Sequence, residues 1–564
     1  MNQTTKRYLN NLGDIKLLKA IGLTCLMMMH CASMQGQGAV AAAHPSAVDV
    51  ARKILMQGGN AFDAAVATHF ALAVVLPRAG NLGGGGFAVM RLAHGQTLSL
   101  DYREKAPLAA HVDSYLKDKS IIEGKSLHSL YASGVPGSVA GMWAMHDSLG
   151  SMPWIDLLMP AIELAEFGFA LTAIQALEIN QLANTFQERN PQGAGPFTRD
   201  GWDKGSLFVQ PDLAKTLRTI ASEGPDGFYQ GAVAEALVHR MQEADQWFTT
   251  EDLLHYQAHW RQPLLTNYRG YDIVTMGPPS SGGVGLIQML QASERDGNRM
   301  QRHGSAAYAH DFTEICRLVY EDRALHLGDP SSMKLSTEAL LDAGRLQDRF
   351  KAMPLFTSGK SIDLNLLLHK ESEETTHLSI VDQQGHAIAI TTTLNSSYGS
   401  KHWVAGFILN NEMDDFALSP GKPNQFGVVG FDVNAVAPGK RMLSSMTPTI
   451  ASRSGHIMVL GTPGGSTIIT NVFQVLTNHL RYDMTLDEAV AKKKLHAQGW
   501  PDLLFMEVDA LSPFTKLCLR LRGHELKTRS QIGRFEAVEM IQSEPIFHSS
   551  PDVSRQGDAT GWPF

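Results

Sequence analysis

Two threonines stand in succession at Thr375-Thr376, after the acidic run Lys370-Glu371-Ser372-Glu373-Glu374 and before His377-Leu378-Ser379-Ile380-Val381-Asp382. A threonine hydroxyl is a weak nucleophile until a base is placed beside it. The same β-branched residue also suits the pleat of a strand. Apolar runs on both sides of Asp382-Gln383-Gln384-Gly385 read as a hairpin, so this stretch alone leaves both readings open. Arg103 follows a predicted strand at 97–100, where its planar guanidinium can clamp a carboxylate or neutralise a neighbouring acid. Gly464-Gly465 lead into a predicted helix at 467–480, and free amides at such a start can receive an anion. Gly83-Gly84-Gly85-Gly86 precede a predicted strand with no Lys-Ser/Thr behind them, which favours close backbone packing over a phosphate cradle.

Other chemistries find less support. The chain has no His-Glu-x-x-His, and its 22 histidines form no pair at zinc-ligand spacing beside a carboxylate, so neither a metal nor a cofactor is expected. Gly359-Lys360-Ser361 ends like a phosphate loop, but Pro354 stands where the first glycine belongs. Ser331-x-x-Lys334 has no Lys-Thr-Gly after it.

The elements that must position these residues follow from apolar spacing. A strand is predicted at 39–43, a helix at 46–56 closed by Gly58-Gly59, and a helix at 61–75 apolar on every side. Residues 134–350 read as mostly helical, with helices near 138–149, 154–167, 211–223 and 306–325. The glycine-rich Gly277-Pro278-Pro279-Ser280-Ser281-Gly282-Gly283 interrupts them. Strands are predicted at 404–409 and 457–460. Between them, 417–430 is rich in Pro and Gly and long enough to form a lid. No repeat of 20 to 50 residues is present, which excludes a solenoid.

With 564 residues, 44% of them hydrophobic, the chain can bury a large core. Its formal charge is −8, and the first 33 residues hold four basic side chains against one acid, so the body is more acidic still. An acidic body without a basic stripe argues against nucleic acid as a partner. Lys16 and Lys19, an apolar run from Ala20 to Met29 and Cys31-Ala32-Ser33 read as an export signal over 1–33. The product would be periplasmic or extracellular and soluble, with a lipid anchor through Cys25 or Cys31 as the weaker alternative. Cys316 and Cys518 would then remain as thiols, too few for a disulfide framework.

Taken in order, the motifs resemble those of the γ-glutamyltranspeptidases (glutathione hydrolases). They are Ala79-Gly80-Asn81-Leu82-Gly83-Gly84-Gly85-Gly86-Phe87, Tyr102-Arg103-Glu104, Pro278-Pro279-Ser280-Ser281-Gly282-Gly283 and Thr375-Thr376-His377-x-Ser379. Downstream come Thr393-x-Asn395, Asn411-Glu412-Met413-Asp414-Asp415-Phe416, Ser444-Ser445-Met446 and Pro463-Gly464-Gly465-Ser466. The resemblance implies an α+β fold, the four-layer αββα sandwich of N-terminal nucleophile hydrolases. It also implies a precursor that cuts its own Glu374–Thr375 bond into a large subunit, 34–374, and a small one, 375–564, held together as a heterodimer. Thr375 would be the nucleophile, positioned by Thr393, with Gly464 and Gly465 facing the oxyanion. Arg103, Ser444 and Ser445 would hold the donor's α-carboxylate; Asn395, Glu412 and Asp415 its α-amino group. Glutathione or another γ-glutamyl compound would be the donor, and water, an amino acid or a short peptide the acceptor.

The sequence departs from the family pattern in three places. Glu412 stands where bacterial members often have Gln, Phe426 where the lid often carries Tyr or Trp, and Ser550-Pro551-Asp552 where Asp-Pro-Arg is usual. Two rivals follow from the same residues: a cephalosporin or glutaryl acylase of the same fold, and an unprocessed amino-acid-binding protein.

Overall fold

The computed structural model describes residues 38–295, 300, 302–361, 375–542, 546–552 and the backbone of 560–563. The predicted export signal, the acidic run 370–374 and with it Glu374 lie outside the described residues. Upstream of that run the strands are β1 (Gly38–Ala42), β2 (Gly85–Arg91), β3 (Thr97–Asp101), β4 (His259–Arg261), β5 (Leu264–Tyr268) and β6 (Tyr271–Thr275). Downstream are β7 (Thr375–Asp382), β8 (Ala387–Thr393), β9 (Thr449–Arg453), β10 (His456–Gly461), β11 (Glu536–Ile541), β12 (Ile546–Pro551) and β13 (Thr560–Pro563). They form a seven-stranded sheet in the order β13-β1-β7-β8-β2-β3-β4 and a six-stranded sheet in the order β12-β11-β10-β9-β6-β5.

Side-chain alternation explains why the two sheets stack. On β1, β7 and β8 the larger residues Val40, Leu378, Ile380, Ile388 and Ile390 join the core beneath one helical layer. The intervening Ala39, Ala41, Val381, Ala387 and Ala389 join the other core, with Met458, Val459 and Leu460 of β10. Small residues on that face let the second sheet approach closely, the spacing of a sandwich. The outer layer on the first sheet includes α1 (Pro45–Met56), α2 (Ala61–Val75) and α3 (Trp154–Phe167). The layer on the second includes α4 (Gly282–Glu294), α5 (Ala306–His326) and α6 (Thr467–Leu480). Every residue of α2 is buried, as its uniform apolarity predicts. Asn60 and Asp63 form a capping box at its start, and the Ala61 amide donates to Asp382 Oδ2 at 2.9 Å, tying the helix to the β7–β8 turn. This is the four-layer αββα sandwich expected from the motifs.

Three expectations change. The predicted strand 404–409 is two short strands, Trp403–Val404 and Phe407–Ile408, because Ala405 and Gly406 both take positive φ (48° and 94°) and turn the chain. The mostly helical reading of 134–350 missed the hairpin β5–β6, whose Arg269-Gly270 turn also has positive φ (53° and 80°). The strand read from Leu378 begins three residues earlier, so both threonines lie within β7. Cys316 is buried and Cys518 half-buried, both as free thiols.

Candidate functional site

Thr375 opens β7 and pairs with Thr393 at the end of β8, while Gly85 starts β2 and Asp101 ends β3. The sheet register therefore brings Thr375, Thr393 and the Tyr102-Arg103-Glu104 segment to one end of the molecule. The four-glycine run makes this possible. A Cβ on Gly84 would lie 2.1 Å from the Thr393 carbonyl oxygen, so a side chain there would push β2 away from β8. The packing reading of these glycines holds.

From the second sheet, β10 ends at Gly461 and leads into Gly464-Gly465 at the start of α6. Both glycines have positive φ, 134° and 53°, and a Cβ on Gly465 would meet the Phe426 ring at 3.0 Å. Neither amide donates a backbone hydrogen bond among the described residues, which leaves both available to an anion. The Ser444-Ser445-Met446 segment is held by the interrupting loop of the helical region. Pro279 O accepts from the Ser444 amide at 2.9 Å, Ser281 Oγ donates to Ser444 O at 2.7 Å, and Ser280 Oγ donates to Met446 O at 2.6 Å.

These segments line a small cavity that opens to solvent. Thr375, Thr393, Asn395, Arg103, Glu412, Asp415, Ser444, Ser445 and Gly465 all line it; Gly464, the residue before Gly465, does not. At its floor Arg103 is buried, with Nη1 2.8 Å from Glu412 Oε2 and Nη2 2.5 Å from Asp415 Oδ2. Burial opposes the Arg103 charge, but Glu412, Glu104 and Asp415 outweigh it and hold its pKa up. Burial raises the carboxyl pKa values of Glu412 and Asp415, with Arg103 pulling both back down. It also pushes Glu104, 3.5 Å from the same Arg103 Nη1, up to about 7. Glu412 Oε2 is held by the Arg103 guanidinium, while its buried Oε1 has no hydrogen-bond partner among the described residues. Asn395 Nδ2 donates to Asn411 O at 2.8 Å, and that leaves its Oδ1 as an acceptor beside the cavity.

The sequence reading did not anticipate Arg323 and Asn424. Arg323, on α5, is buried and lines the same cavity; its Nε donates to Ser281 Oγ at 3.2 Å. Burial lowers its pKa, partly offset by Asp415. A signal existed: Phe312, Cys316, Val319 and Arg323 recur at helical spacing, which puts a cation on an apolar face. Asn424 belongs to the predicted lid and donates from Nδ2 to Asp415 Oδ1 at 3.0 Å, while the Gln425 amide donates to Asp414 Oδ2 at 2.9 Å. The lid is thus latched over the carboxylates, with Phe426 covering Gly465 by its ring alone. His377, two residues from the nucleophile candidate, faces the other way. It is buried between Thr391 Oγ1 (2.8 Å) and Ser379 Oγ (3.0 Å), and burial lowers its pKa to about 3.

The γ-glutamyltranspeptidase family model matches residues 47–562. The chain belongs to the γ-glutamyltranspeptidase family. It is 44% identical over 515 residues to a glutathione hydrolase proenzyme of Pseudomonas aeruginosa, covering 89% of this chain and 91% of that one. To the glutathione hydrolase proenzyme of Escherichia coli it is 39% identical over 536 residues, covering 93% and 91%. A cephalosporin acylase structure from Bacillus halodurans superposes with a TM-score of 0.80 over 94% of this chain and 96% of that one. At 22% identity that likeness concerns the fold alone. A γ-glutamyltranspeptidase therefore accounts for the motifs and the site better than an acylase does.

Proposed function

We propose that this γ-glutamyltranspeptidase cuts itself before Thr375 and then transfers or hydrolyses the γ-glutamyl group of glutathione and related compounds. One observation carries the reading: a buried cation, Arg103, in contact with the buried acid Glu412 and the half-buried acid Asp415, in a cavity that also holds Thr375. An α-amino acid bears both its charges on one carbon. Recognising it requires a cationic and an anionic locus side by side, and this pair supplies both. The donor's α-carboxylate is received by Arg103 with the hydroxyls of Ser444 and Ser445. Its α-ammonium is received by Glu412, Asp415 and Asn395 Oδ1, which gives the buried Glu412 Oε1 a donor. A carboxylate in place of the more usual Gln serves a cation equally well.

In the precursor, the Thr375 hydroxyl attacks the Glu374 carbonyl and the Thr375 nitrogen leaves, giving an ester. Water hydrolyses that ester and frees both the Glu374 carboxylate and the Thr375 amine. Such an α-amine has a reference pKa of about 7.7–8.0, so it can take the proton from its own hydroxyl without a histidine. Oγ1 then adds to the γ-carbonyl of the donor, with Thr393 positioning it. Negative charge on the tetrahedral oxygen faces the Gly464 and Gly465 amides, a contribution of about 3 kcal/mol in comparable oxyanion sites. Collapse expels the leaving amine, which takes the proton from the Thr375 ammonium, and leaves a γ-glutamyl ester. Water then gives hydrolysis; an amino acid or short peptide gives transpeptidation.

The 1–33 segment supports export to the periplasm or beyond, and among the described residues no helix is long and apolar enough to cross a membrane. The expected result on a denaturing gel is two bands from wild type and one from Thr375→Ala, with no release of nitroaniline from a γ-glutamyl anilide by that variant. A single wild-type band would remove the mechanism. Release from a glutaryl but not a γ-glutamyl anilide would transfer the site to an acylase.

A further inference from the structure

Among the described residues two clusters of histidine and carboxylate lie outside the active site, and their hydrogen bonding separates them. In the first, His310, Glu314 and His524 converge. His310 Nε2 faces the Pro354 carbonyl at 2.9 Å, so it donates, and Nδ1 is left to accept from His524 Nε2 at 2.6 Å. Both rings are satisfied as neutral imidazoles, and no ion is called for.

The second cluster is different. His456 opens β10, Glu539 lies on the neighbouring β11, and His479 is in the last turn of α6. His456 Nε2 and His479 Nε2 both point at Glu539 Oε2, at 3.1 and 3.9 Å. His479 Nδ1 faces the Met484 carbonyl at 2.8 Å and can only donate there. In the neutral ring its Nε2 is then a lone pair aimed at a carboxylate oxygen, a contact that either a proton on the ring or a metal ion between the two makes favourable. His456 Nδ1 lies 2.8 Å from the Tyr271 hydroxyl, which can donate or accept there and fixes the orientation of the ring.

We propose that His456, His479 and Glu539 form a binding site for a divalent transition metal of the zinc class. Their ligand atoms all lie within 4.8 Å of one another. A tetrahedral ion with bonds of about 2.0–2.1 Å spaces its ligands about 3.3 Å apart, so 3.1 and 3.9 Å need adjustments of well under 1 Å. Two imidazoles and a carboxylate are a ligand set that borderline ions accept. Tyr271 and the Met484 carbonyl provide the outer hydrogen bonds that fix ligand rings. The three side chains keep 11–16% of their surface exposed, enough for water as the fourth ligand. Other ionisable neighbours are committed elsewhere: Arg453 stacks on Tyr271, and His548 bonds Asp487 at 3.1 Å.

Because Gly461 ends β10 toward the nucleophile and His456 begins it, the ion sits at the opposite end of the strand from Thr375. Its effect is to clamp α6 onto the sheet. Sequence spacing could not show this site, since its ligands come from three separate elements.

Titration of the purified protein with Co²⁺ tests the site, because four-coordinate Co²⁺ has strong visible d–d bands. One equivalent should produce the bands, and Zn²⁺ should abolish them. Zn²⁺ should also raise the thermal midpoint, reversibly with chelator. His479→Ala and Glu539→Gln should lose both responses yet keep wild-type γ-glutamyl activity, and His310→Ala should keep both. Tyr271→Phe should weaken Co²⁺ binding roughly 10- to 100-fold. Absence of the bands in wild type, or their persistence in His479→Ala, overturns the proposal.

Discussion

Arg323 shows how much a single residue can reveal about a site. Its guanidinium is buried beside a cavity and donates to the Ser281 hydroxyl, and Asp415 offsets the effect of burial only in part. Placing a charge in such surroundings costs several kcal/mol unless a counter-charge arrives. On the proposed function the donor's carboxylate would be that counter-charge, next to Ser281, which also holds Ser444. Arg323→Gln is therefore expected to raise KM for a γ-glutamyl donor by about 10- to 100-fold, the scale of one charge-assisted hydrogen bond, with a smaller change in kcat. Arg323→Lys should recover part of the loss. A variant whose KM is unchanged while kcat collapses would assign Arg323 to building the loop instead. Thr375, Arg103 and Gly465, which line one cavity, could be picked out as candidates from the sequence because each sits in a short motif. Arg323 could not, because its motif is the periodicity of a long helix and its partners come from loops more than forty residues away or further.

At the level of elements, the contact between β7 and β10 carries a titratable group. A Cβ on Gly461 would lie 2.2 Å from the His377 ring, so that glycine makes the room in which the histidine is buried. With its pKa lowered to about 3 from 6.5, the folded protein keeps His377 neutral while the unfolded chain takes up a proton below pH 6.5. The sign is then fixed: stability falls as the pH drops from 6.5 toward 3, by about 1.4 kcal/mol per unit for this residue. Replacing His377 with Gln, which can still bond Thr391 and Ser379, removes that term. Denaturant midpoints at pH 7.5 and 5.0 should show wild type losing about 2 kcal/mol relative to His377→Gln; parallel profiles would mean that the ring is protonated in the fold. Elements of uniform or periodic apolarity, such as α2, α5 and α6, were readable beforehand. The hairpin β5–β6 and the break at Ala405-Gly406 were not, because positive φ at Arg269 and Ala405 is a choice of the tertiary structure that residue type alone does not announce.

On the scale of the whole molecule, strand order decides what happens after a cut before Thr375. In the first sheet β7 and β8, downstream of the cut, lie between β1 and β2, upstream of it. In the second sheet β9 from the downstream part pairs with β6 from the upstream part. Both cores draw on both parts: Val40 and Leu378 share one, Phe87 and Val459 the other. Separating the two pieces would therefore break ladders in the middle of both sheets and expose both cores at once, which is equivalent to unfolding. The pieces should co-elute as one species in size-exclusion chromatography under native conditions and part only in denaturant. Thr375→Ala should match the wild-type elution volume, since the cut removes no ladder. Two native peaks from the processed protein would show that the interleaved strand order is not what holds the subunits together.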